Sequence, residues 1–306
     1  MDVRVLRYFL VVVQKQNISA AAADLYMSQP ALSRQMTQLE QELGVKLFHR
    51  GPRKIKLTQA GYYLHERATE ITSMVDKTAY NLQTHQKIVS GQLDIGAGES
   101  RGMQRIMDVI ANILKDYPQV QIHLRSGDAE DIGPQLEAGV LDFGVMMGAL
   151  DLSQYNQLQL PEVDHWGIIL PSDAPLTQQT TITPADLLGH PLIVSQQAQK
   201  HARFQRWWRN AGKQINIIGT FNLIYNAALL VKNGGCYALS FDDLISTQPN
   251  SGLAFRRLDP PLTEPITVIW KKHQTRSTVA ELFLQRLRAN VGNVKSSMKT
   301  VVQEGV

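Results

Sequence analysis

The 306-residue sequence is informative first for what it has little of. A single cysteine, Cys236, excludes a disulfide framework within the chain and fits a reducing compartment. No stretch of about 18 uncharged apolar residues is present, so we expect no membrane-spanning helix. The eight histidines have no metal-ligand spacing, and we expect neither a metal nor a cofactor. Together these absences predict a soluble protein of the cytoplasm.

The net charge is only +4, but it is unevenly distributed. Residues 1–60 contain nine Lys and Arg against four Asp and Glu, a net of +5. The whole chain has 31 Lys and Arg and 27 Asp and Glu, so the remaining residues contain 22 basic against 23 acidic side chains, a net of −1. A basic head on a nearly neutral body predicts a module that binds a polyanion, joined to a different kind of domain.

The segment SQPALSRQMTQLE (28–40) has the pattern of an amphipathic helix with an unusual polar face. Ser28 is a good N-cap, and a proline is harmless in a first turn. Apolar residues recur at helical spacing: Leu32, Met36, Leu39 and Leu43. The opposite face carries short polar side chains and one positive charge: Pro30, Ser33, Arg34 and Thr37. Such a face suits close approach to a grooved surface.

The flanking residues complete a small helical head with a basic ribbon. A first helix buries Leu6, Phe9, Leu10 and Val13 and ends at Asn17, and Ser19 is the expected cap of a short second helix. Three short helices with a tight turn before the third have helix-turn-helix spacing. Residues 46–49 and the stretch around Ile55 and Leu57 then predict a two-stranded wing with a Gly51-Pro52 turn. Its basic residues are Arg50, Arg53, Lys54 and Lys56.

A long helix is predicted over residues 59–90, with Thr58 as its cap. Its apolar seam alternates spacings of four and three: Leu64, Ala68, Ile71, Val75, Thr78, Leu82, His85 and Val89. This heptad pattern is typical of a coiled coil, so we expect the helix to pair two chains. The alternative is that the seam packs on the body of its own chain.

After a hinge at Ser90-Gly91, strands alternate with helices, which indicates an α/β fold with parallel strands. Strands are predicted at 93–97, 120–124, 142–147, 165–170, 191–194, 215–221, 236–241 and 265–270. Helices are predicted at 103–116, 132–138, 202–211, 223–233 and 276–290, with a frayed tail after Val291. Trp207 and Trp208 lie about 100° apart on a helix, so we expect one in the core and the other on the surface.

Residues 20–61, AAAADLYMSQPALSRQMTQLEQELGVKLFHRGPRKIKLTQAG, resemble the winged helix-turn-helix of the LysR-type transcriptional regulators. The SQPALSRQ run, the LE that follows, ELG-x-x-LF-x-R and LT-x-AG all stand at the spacing of that family. The resemblance implies a winged helix-turn-helix (1–58), a coiled-coil linker helix (59–90) and an α/β effector-binding domain (91–306). That domain would have two Rossmann-like subdomains, like a periplasmic binding protein, at 91–163 with 267–306 and at 164–266.

The resemblance also implies function and partners. It places Gln29, Pro30, Ser33 and Arg34 at the major groove of double-stranded DNA, and Arg53 at phosphates or the minor groove. We predict that Thr37 reaches bases or phosphates and that Arg50 and Lys54 add to the wing contact. It further implies a homodimer or homotetramer, a roughly palindromic target and a small-molecule effector.

The effector is expected where parallel strands end, because ligands of α/β sheets bind at the carboxyl ends of strands. The candidate residues are Glu99, Ser100, Arg101, Ser126, Met147, Ser195, Gln196, Phe221 and Asn222. For each of them a turn or cap role is the alternative. Arg101 and the serines point to an anionic effector.

The segment GESRG (98–102) offers a competing interpretation, since it matches G-x-S-x-G between a strand and a helix. In an α/β hydrolase, Ser100 would be the nucleophile. Here the motif follows the first strand of its domain, and no oxyanion-loop segment precedes it. We therefore expect a regulator without catalytic residues, and a hydrolase or a small-molecule-binding protein that uses Ser100 is the alternative.

Overall fold

The computed structural model of the chain describes residues 1–50, 54–83, 89–148, 151–200, 202–208 and 215–303. Two compact units are present, Met1–His85 and Gln86–Val306. Within the described residues, none of the helices combines the length and the apolar character that a membrane crossing needs.

The first unit packs its helices around one small core and carries a two-stranded ribbon. Its elements are α1 (Val3–Lys15), α2 (Ile18–Asp24), α3 (Gln29–Leu43), β1 (Phe48–Arg50), β2 (Ile55–Leu57) and α4 (Gln59–Gln83). Its most deeply buried side chains are Leu6, Phe9, Val12, Ala21, Leu32, Met36, Leu39, Leu47 and Ala68. The predicted winged helix-turn-helix is therefore present.

The cap of α2 differs from the prediction by two residues. Gln16 closes α1 in the left-handed region, at φ 51°, and the extended Asn17 then accepts a hydrogen bond from the Ala20 N–H at 3.0 Å. Asn17 is thus the N-cap of α2, and the prediction of Ser19 was wrong. Leu43, predicted as part of the apolar stripe of α3, is 36% exposed because it lies in the last turn, beside the αL cap Gly44.

The apolar seam of α4 is divided between two environments. Leu64, Ala68 and Ile71 pack on the core of the head, whereas Val75 and Thr78 are exposed. The seam prediction at His85 and at the side chain of Leu82 lies outside the described residues. The first half of the seam therefore packs on its own chain. The prediction that the helix and its seam reach Val89 was wrong, because Val89 is not helical and packs on the core of the second unit.

The second unit is an α/β domain. Its strands are β3 (Gly91–Ala97), β4 (Val120–Ser126), β5 (Phe143–Met147), β6 (Tyr155–Pro171), β7 (Thr181–Ile182), β8 (Pro191–Ser195), β9 (Asn216–Phe221), β10 (Tyr237–Phe241), β11 (Leu253–Leu258) and β12 (Thr263–Lys271). Its helices are α5 (Met103–Asp116), α6 (Ala129–Glu137), α7 (Gln196–Lys200), α8 (Ala202–Trp207), α9 (Ile224–Lys232) and α10 (Thr278–Gln303). Short 3-10 turns lie at Pro175–Gln178 and Pro184–Leu187.

The strand order β4-β3-β5-β12-β6-β10-β8-β9 divides the sheet into two halves. Neighbours are parallel within β4-β3-β5 and within β10-β8-β9, and the central strands β12 and β6 are antiparallel to their neighbours. The long strand β6 pairs with β12 up to His165 and with β10 from Trp166 onward. It therefore carries the chain from one half to the other.

Each half has a core on both faces of its strands. In the first half, α5 and α10 cover one face around Phe143 and Phe283, and α6 covers the other. In the second half, one core gathers around Trp166 and Phe204, and α9 covers the opposite core. The predicted pair of Rossmann-like halves is present, and its boundary residues at 163 and 266 stay predictions.

Three details differ from the sequence predictions. The last helix extends to Gln303, well beyond the predicted end, and β6 begins ten residues before the predicted strand 165–170. Trp207 and Trp208 are both buried, in an edge-on pair with ring centroids 5.5 Å apart. The helix ends at Trp207, so helical geometry does not separate the two rings.

Candidate functional site

The polar face of α3 lies open to solvent. Ser28 caps the helix by accepting a hydrogen bond from the Ala31 N–H at 3.4 Å. Gln29, Pro30 and Arg34 are exposed, and Ser33 and Thr37 are half-buried on the same side. Arg34 has no hydrogen-bond or ion-pair partner among the described residues. The structure therefore brings the five α3 residues predicted to bind DNA together on one accessible face.

A buried carboxylate fixes the other end of α3 to the ribbon. Glu40 is 3% exposed and accepts hydrogen bonds from the N–H groups of Leu47 (2.8 Å) and Phe48 (3.3 Å). It also pairs with the Lys46 ammonium at 3.0 Å. Burial opposes the charge, but these hydrogen bonds outweigh it and lower the pKa of Glu40 below its usual value. The orientation of α3 relative to β1 is thus set by an ionised internal group.

The LT-x-AG motif joins the ribbon to α4. The Thr58 hydroxyl donates to the Lys46 carbonyl at 2.6 Å and accepts from the Gly61 N–H at 3.0 Å. A Cβ on Gly61 would lie 2.2 Å from the Leu47 carbonyl oxygen, so this contact needs glycine. The start of α4 is therefore held directly against the chain that forms β1.

The wing prediction is only partly covered by the structure. Lys54 and Lys56 are exposed beside the antiparallel pair Phe48–Leu57 and Arg50–Ile55. Arg53 and the side chain of Arg50 lie outside the described residues.

Sequence reasoning missed Tyr26, which stands in the turn before α3. Its ring is 99% exposed and its φ is 53°, a left-handed conformation that costs a non-glycine residue energy. The exposure of this aromatic ring is visible only in the structure, and it marks Tyr26 as a candidate contact residue. The sequence offered only the position of the turn.

Strand ends of both halves meet around a cavity of about 60 Å³. Of the predicted effector residues, Glu99, Met147, Ser195, Phe221 and Asn222 line it. An adjoining cavity of about 300 Å³ is lined by Ser100 and Ser126, and Glu99 borders both spaces. The position of the two cavities agrees with the strand-end rule.

Two predicted residues do not line either cavity. The Arg101 guanidinium instead lies 3.5 Å from Asp242 and 3.3 Å from Asp243. Gln196 begins α7 and is exposed. The side chain on which the expectation of an anionic effector rested is thus paired with the chain's own carboxylates.

Ser100 has a structural partner that the hydrolase interpretation did not anticipate. Its hydroxyl donates to Asp164 Oδ1 at 3.0 Å and accepts from the Gly102 N–H at 3.0 Å. A serine nucleophile needs a general base in that position, usually a histidine. In the described residues, the Ser100 hydroxyl holds the turn that leads into α5.

A buried acidic group marks the place where β6 passes between the halves. Asp164 is fully buried, accepts the Arg101 N–H at 3.2 Å, and leaves Oδ2 without a partner among the described residues. Burial raises the pKa of Asp164 to about 6. Hydrogen bonds from Ser100 and Arg101 oppose the rise, and nearby Asp242 adds to it.

Two lining carboxylates also cap helices at the cleft. Glu99 follows β3 in the first half and accepts the Ile224 N–H at 2.6 Å, at the start of α9 in the second half. Asp128 caps α6 by accepting the N–H groups of Glu130 and Asp131 at 2.8 and 3.1 Å. Sequence reasoning missed Asp128 as a lining residue, although its capping-box spacing to Asp131 was readable.

Comparison with known families gives two matches that together span nearly the whole chain. Residues 3–62 match the model described as "Bacterial regulatory helix-turn-helix protein, lysR family". Residues 86–292 match the model described as "LysR substrate binding domain".

Individual relatives agree with these matches. "Uncharacterized HTH-type transcriptional regulator YnfL" of Escherichia coli (strain K12) is 32% identical over 202 residues, 63% of this chain and 65% of that protein. Several curated relatives are matched over 61 to 65% of their own length. The crystal structure of CbnR, a LysR family transcriptional regulator, has a TM-score of 0.75 at 20% identity, covering 95% of this chain and 99% of that chain. The structure of full-length CbnR complexed with its target DNA has a TM-score of 0.73 at 21% identity, covering 95% of this chain and 100% of that chain.

Proposed function

The chain belongs to the LysR family of bacterial helix-turn-helix regulatory proteins, and on that premise we propose that it is a sequence-specific DNA-binding transcriptional regulator. The observation that carries the proposal is the solvent-open face of α3, with Gln29, Pro30 and Arg34 exposed above a buried Leu32, Met36 and Leu39. In this function α3 enters the major groove, where Arg and Gln have the donor geometry to read base edges. Acting on DNA, the protein would work in the cytoplasm.

The wing and the turn before α3 contribute contacts to the DNA backbone in this proposal. Lys54 and the predicted Arg50 and Arg53 contact phosphates, which adds affinity without sequence information. Tyr26 projects its phenol from the same end of α3 and contacts the backbone beside the groove. Ser33 and Thr37 approach bases or phosphates at closer range.

Two chains would pair through α4. Met74 and Val75 of α4 are 39% and 38% exposed. Burying such apolar positions against a second copy gives a dimer that presents two recognition helices to a roughly palindromic site. CbnR was crystallised with its target DNA. The homodimer or homotetramer proposed here rests on the exposed part of α4 and on membership of the LysR family.

The second unit would sense a small molecule in the cleft between its halves. The two adjoining cavities of about 60 and 300 Å³ are lined by residues of both halves, so a ligand there contacts both of them. A ligand that binds one arrangement of the halves better than another shifts the population of arrangements. The bonding of Ser100 to Asp164 argues against a hydrolase, and we propose that the chain is not an enzyme.

The groove assignment is tested by comparing two substitutions at exposed basic residues. Arg34→Ala should cost about 1–3 kcal/mol of binding free energy with the cognate duplex and reduce the ratio of cognate to scrambled binding constants. Lys54→Ala should weaken the binding of both duplexes alike. It should also reduce the slope of the logarithm of the binding constant against the logarithm of the salt concentration by about one. The measurement is a fluorescence-anisotropy titration of both duplexes at several salt concentrations.

Arg276→Ala serves as a charge control, because Arg276 belongs to the second unit and pairs with Glu281 at 2.7 Å. It should change neither the ratio nor the salt dependence. An unchanged cognate-to-scrambled ratio in Arg34→Ala would refute the placement of α3 in the groove.

A further inference from the structure

The cavity between the two halves combines aromatic walls with negative charge. Trp166, Phe221 and Phe241 line it, and the rings of Trp166 and Phe241 lie 4.1 Å apart between centroids. The charged residues in its described lining are both acidic, Glu99 and Asp128. Aromatic faces beside carboxylates are the surroundings that bind organic ammonium groups, because the ring faces and the carboxylates both attract a cation.

The helix N-termini at the cleft, which would bind an anion, are already occupied by the chain. Helix N-termini bind anions through free N–H groups, and α5, α6 and α9 all begin at this cleft. Asp164 accepts from Arg101 at the start of α5, Asp128 caps α6, and Glu99 accepts from Ile224 at the start of α9. An anionic ligand would have to displace these carboxylates or lie beside them.

The lining also contains a serine hydroxyl. Ser240 is 3% exposed and lines the cavity. Its oxygen can accept a hydrogen bond, and an ammonium N–H supplies one.

We propose that the effector is an organic cation, an amine or quaternary ammonium with an apolar body, held between Glu99, Ser240 and the aromatic walls. This inference rests on the proposed sensor function of the cleft and specifies the charge of its ligand. Glu99 uses Oε2 to accept the Ile224 N–H, and its other oxygen is the counter-ion for the ligand. Because Glu99 bridges the halves, the ligand charge acts on the contact that joins them.

The test is isothermal titration calorimetry of the full-length protein without DNA, using matched probes. Phenethylamine and benzyltrimethylammonium are the cations, and 3-phenylpropionate is the anion of similar size and ring. We expect both cations to bind at least about tenfold more tightly than the carboxylate, a difference of about 1.4 kcal/mol. A carboxylate that binds as tightly as the cations, or no cation binding up to about 10 mM, overturns the inference.

Variants connect the preference to the residues. Glu99→Gln keeps an oxygen for the Ile224 N–H but removes the charge, and should weaken both cations about tenfold while sparing 3-phenylpropionate. Glu130→Gln removes the same charge from the exposed first turn of α6, outside the cavity lining, and should change nothing. Phe221→Leu keeps bulk but removes a ring, and should weaken benzyltrimethylammonium even where Glu99→Gln fails to fold. Unchanged cation affinity in the Phe221 variant and in a folded Glu99 variant contradicts the site.

A parallel anisotropy titration with the cognate duplex separates this inference from the proposed function. If the protein binds DNA but prefers the carboxylate, the proposed regulator function stands and the inference of a cationic effector fails. If it binds the cations through Glu99 but does not bind DNA, the cationic site stands and the proposed regulator function fails.

Discussion

On α3 the polar residues Gln29 and Arg34 project into solvent, whereas at the strand ends of the second unit Ser100 and Ser195 are bonded within the chain. The first arrangement suits a large, rigid partner that meets a finished surface. The second suits a cleft that must stay folded when empty, because buried polar groups need partners with or without a ligand.

The two units also treat their buried carboxylates differently. Glu40 is surrounded by donors, which lower its pKa, whereas burial raises the pKa of Asp164 to about 6. One unit is thus stabilised by an ionised acid, and the other contains an acid that favours its proton. This contrast predicts opposite responses to pH, and the following four experiments test it and the packing behind it.

The largest effect is expected from Gly61→Ala. The added methyl group would lie 2.2 Å from the Leu47 carbonyl oxygen, so β1 and α4 must move apart, at a cost of about 3 kcal/mol or more. Gly133→Ala is the control, since nothing lies within 4 Å of its Cβ position in α6, and it should stabilise the chain by about 0.5–1 kcal/mol. Urea unfolding is followed by circular dichroism and by fluorescence. All four tryptophans lie beyond residue 165, so loss of helix signal before fluorescence localises the damage to the head.

The second effect is the pH dependence of the second unit. The folded-state pKa of Asp164, about 6, is above the usual 3.8. The contribution of Asp164 to the free energy of unfolding is therefore fully present below pH 3.8 and is lost as pH rises through 6. The shift corresponds to about 3 kcal/mol between these limits. Asp164→Asn should flatten the fluorescence-detected stability profile between pH 4 and 7, and a profile as steep as that of the unmodified chain contradicts the assignment.

The third effect has the opposite sign and lies in the head. The lowered pKa of Glu40 means that its contribution is present above the usual 4.5 and decreases as pH falls through the folded-state value. Glu40→Gln should cost about 2 kcal/mol at pH 7 and less in acid. Glu42→Gln, on the same helix but half-exposed, should cost under about 0.5 kcal/mol. Urea unfolding followed by circular dichroism at pH 7 and below pH 5 checks both, and equal costs of the two variants at pH 7 contradict the role of Glu40.

The smallest effect is expected at Tyr26, where stability and binding should change in opposite directions. Tyr26→Asn places a residue that tolerates left-handed backbone at φ 53° and removes a ring that is 99% exposed. Stability should rise by up to about 1 kcal/mol while affinity for cognate and scrambled duplexes falls alike. Thermal unfolding and anisotropy on the same sample measure both. A loss of stability would mean that the ring packs in the head after all.

Local patterns predicted the head well because its determinants lie close together in sequence. The cap, the buried stripe through Leu39 and the polar face of α3 all depend on spacings of three and four residues. The misplaced α2 cap is an error of the same local kind, since Asn17 and Ser19 are both good caps and only the conformation of Gln16 decides between them. The cationic ribbon was predicted from composition and turn residues.

The second unit was less predictable because its determinants are distant. The first half of β6 was missed because its residues are largely polar and interrupted by Pro161, and its pairing with β12 spans a hundred residues. Arg101 was expected in the cleft, but Asp242 and Asp243, some 140 residues away, pair with it. The strand-end rule still identified five residues of the main cavity, since it depends on topology and not on side-chain orientation.

The clamp between Thr58, Gly61 and the chain before β1 has a mechanical consequence. A helix of 25 residues, the length of α4, is about 37 Å long. With one end fixed to the winged head, a tilt of about 5° at that end displaces the other by about 3 Å. Because this clamp joins α4 to the chain before β1, a change in the direction of the helix turns the winged head, with α3, by the same angle.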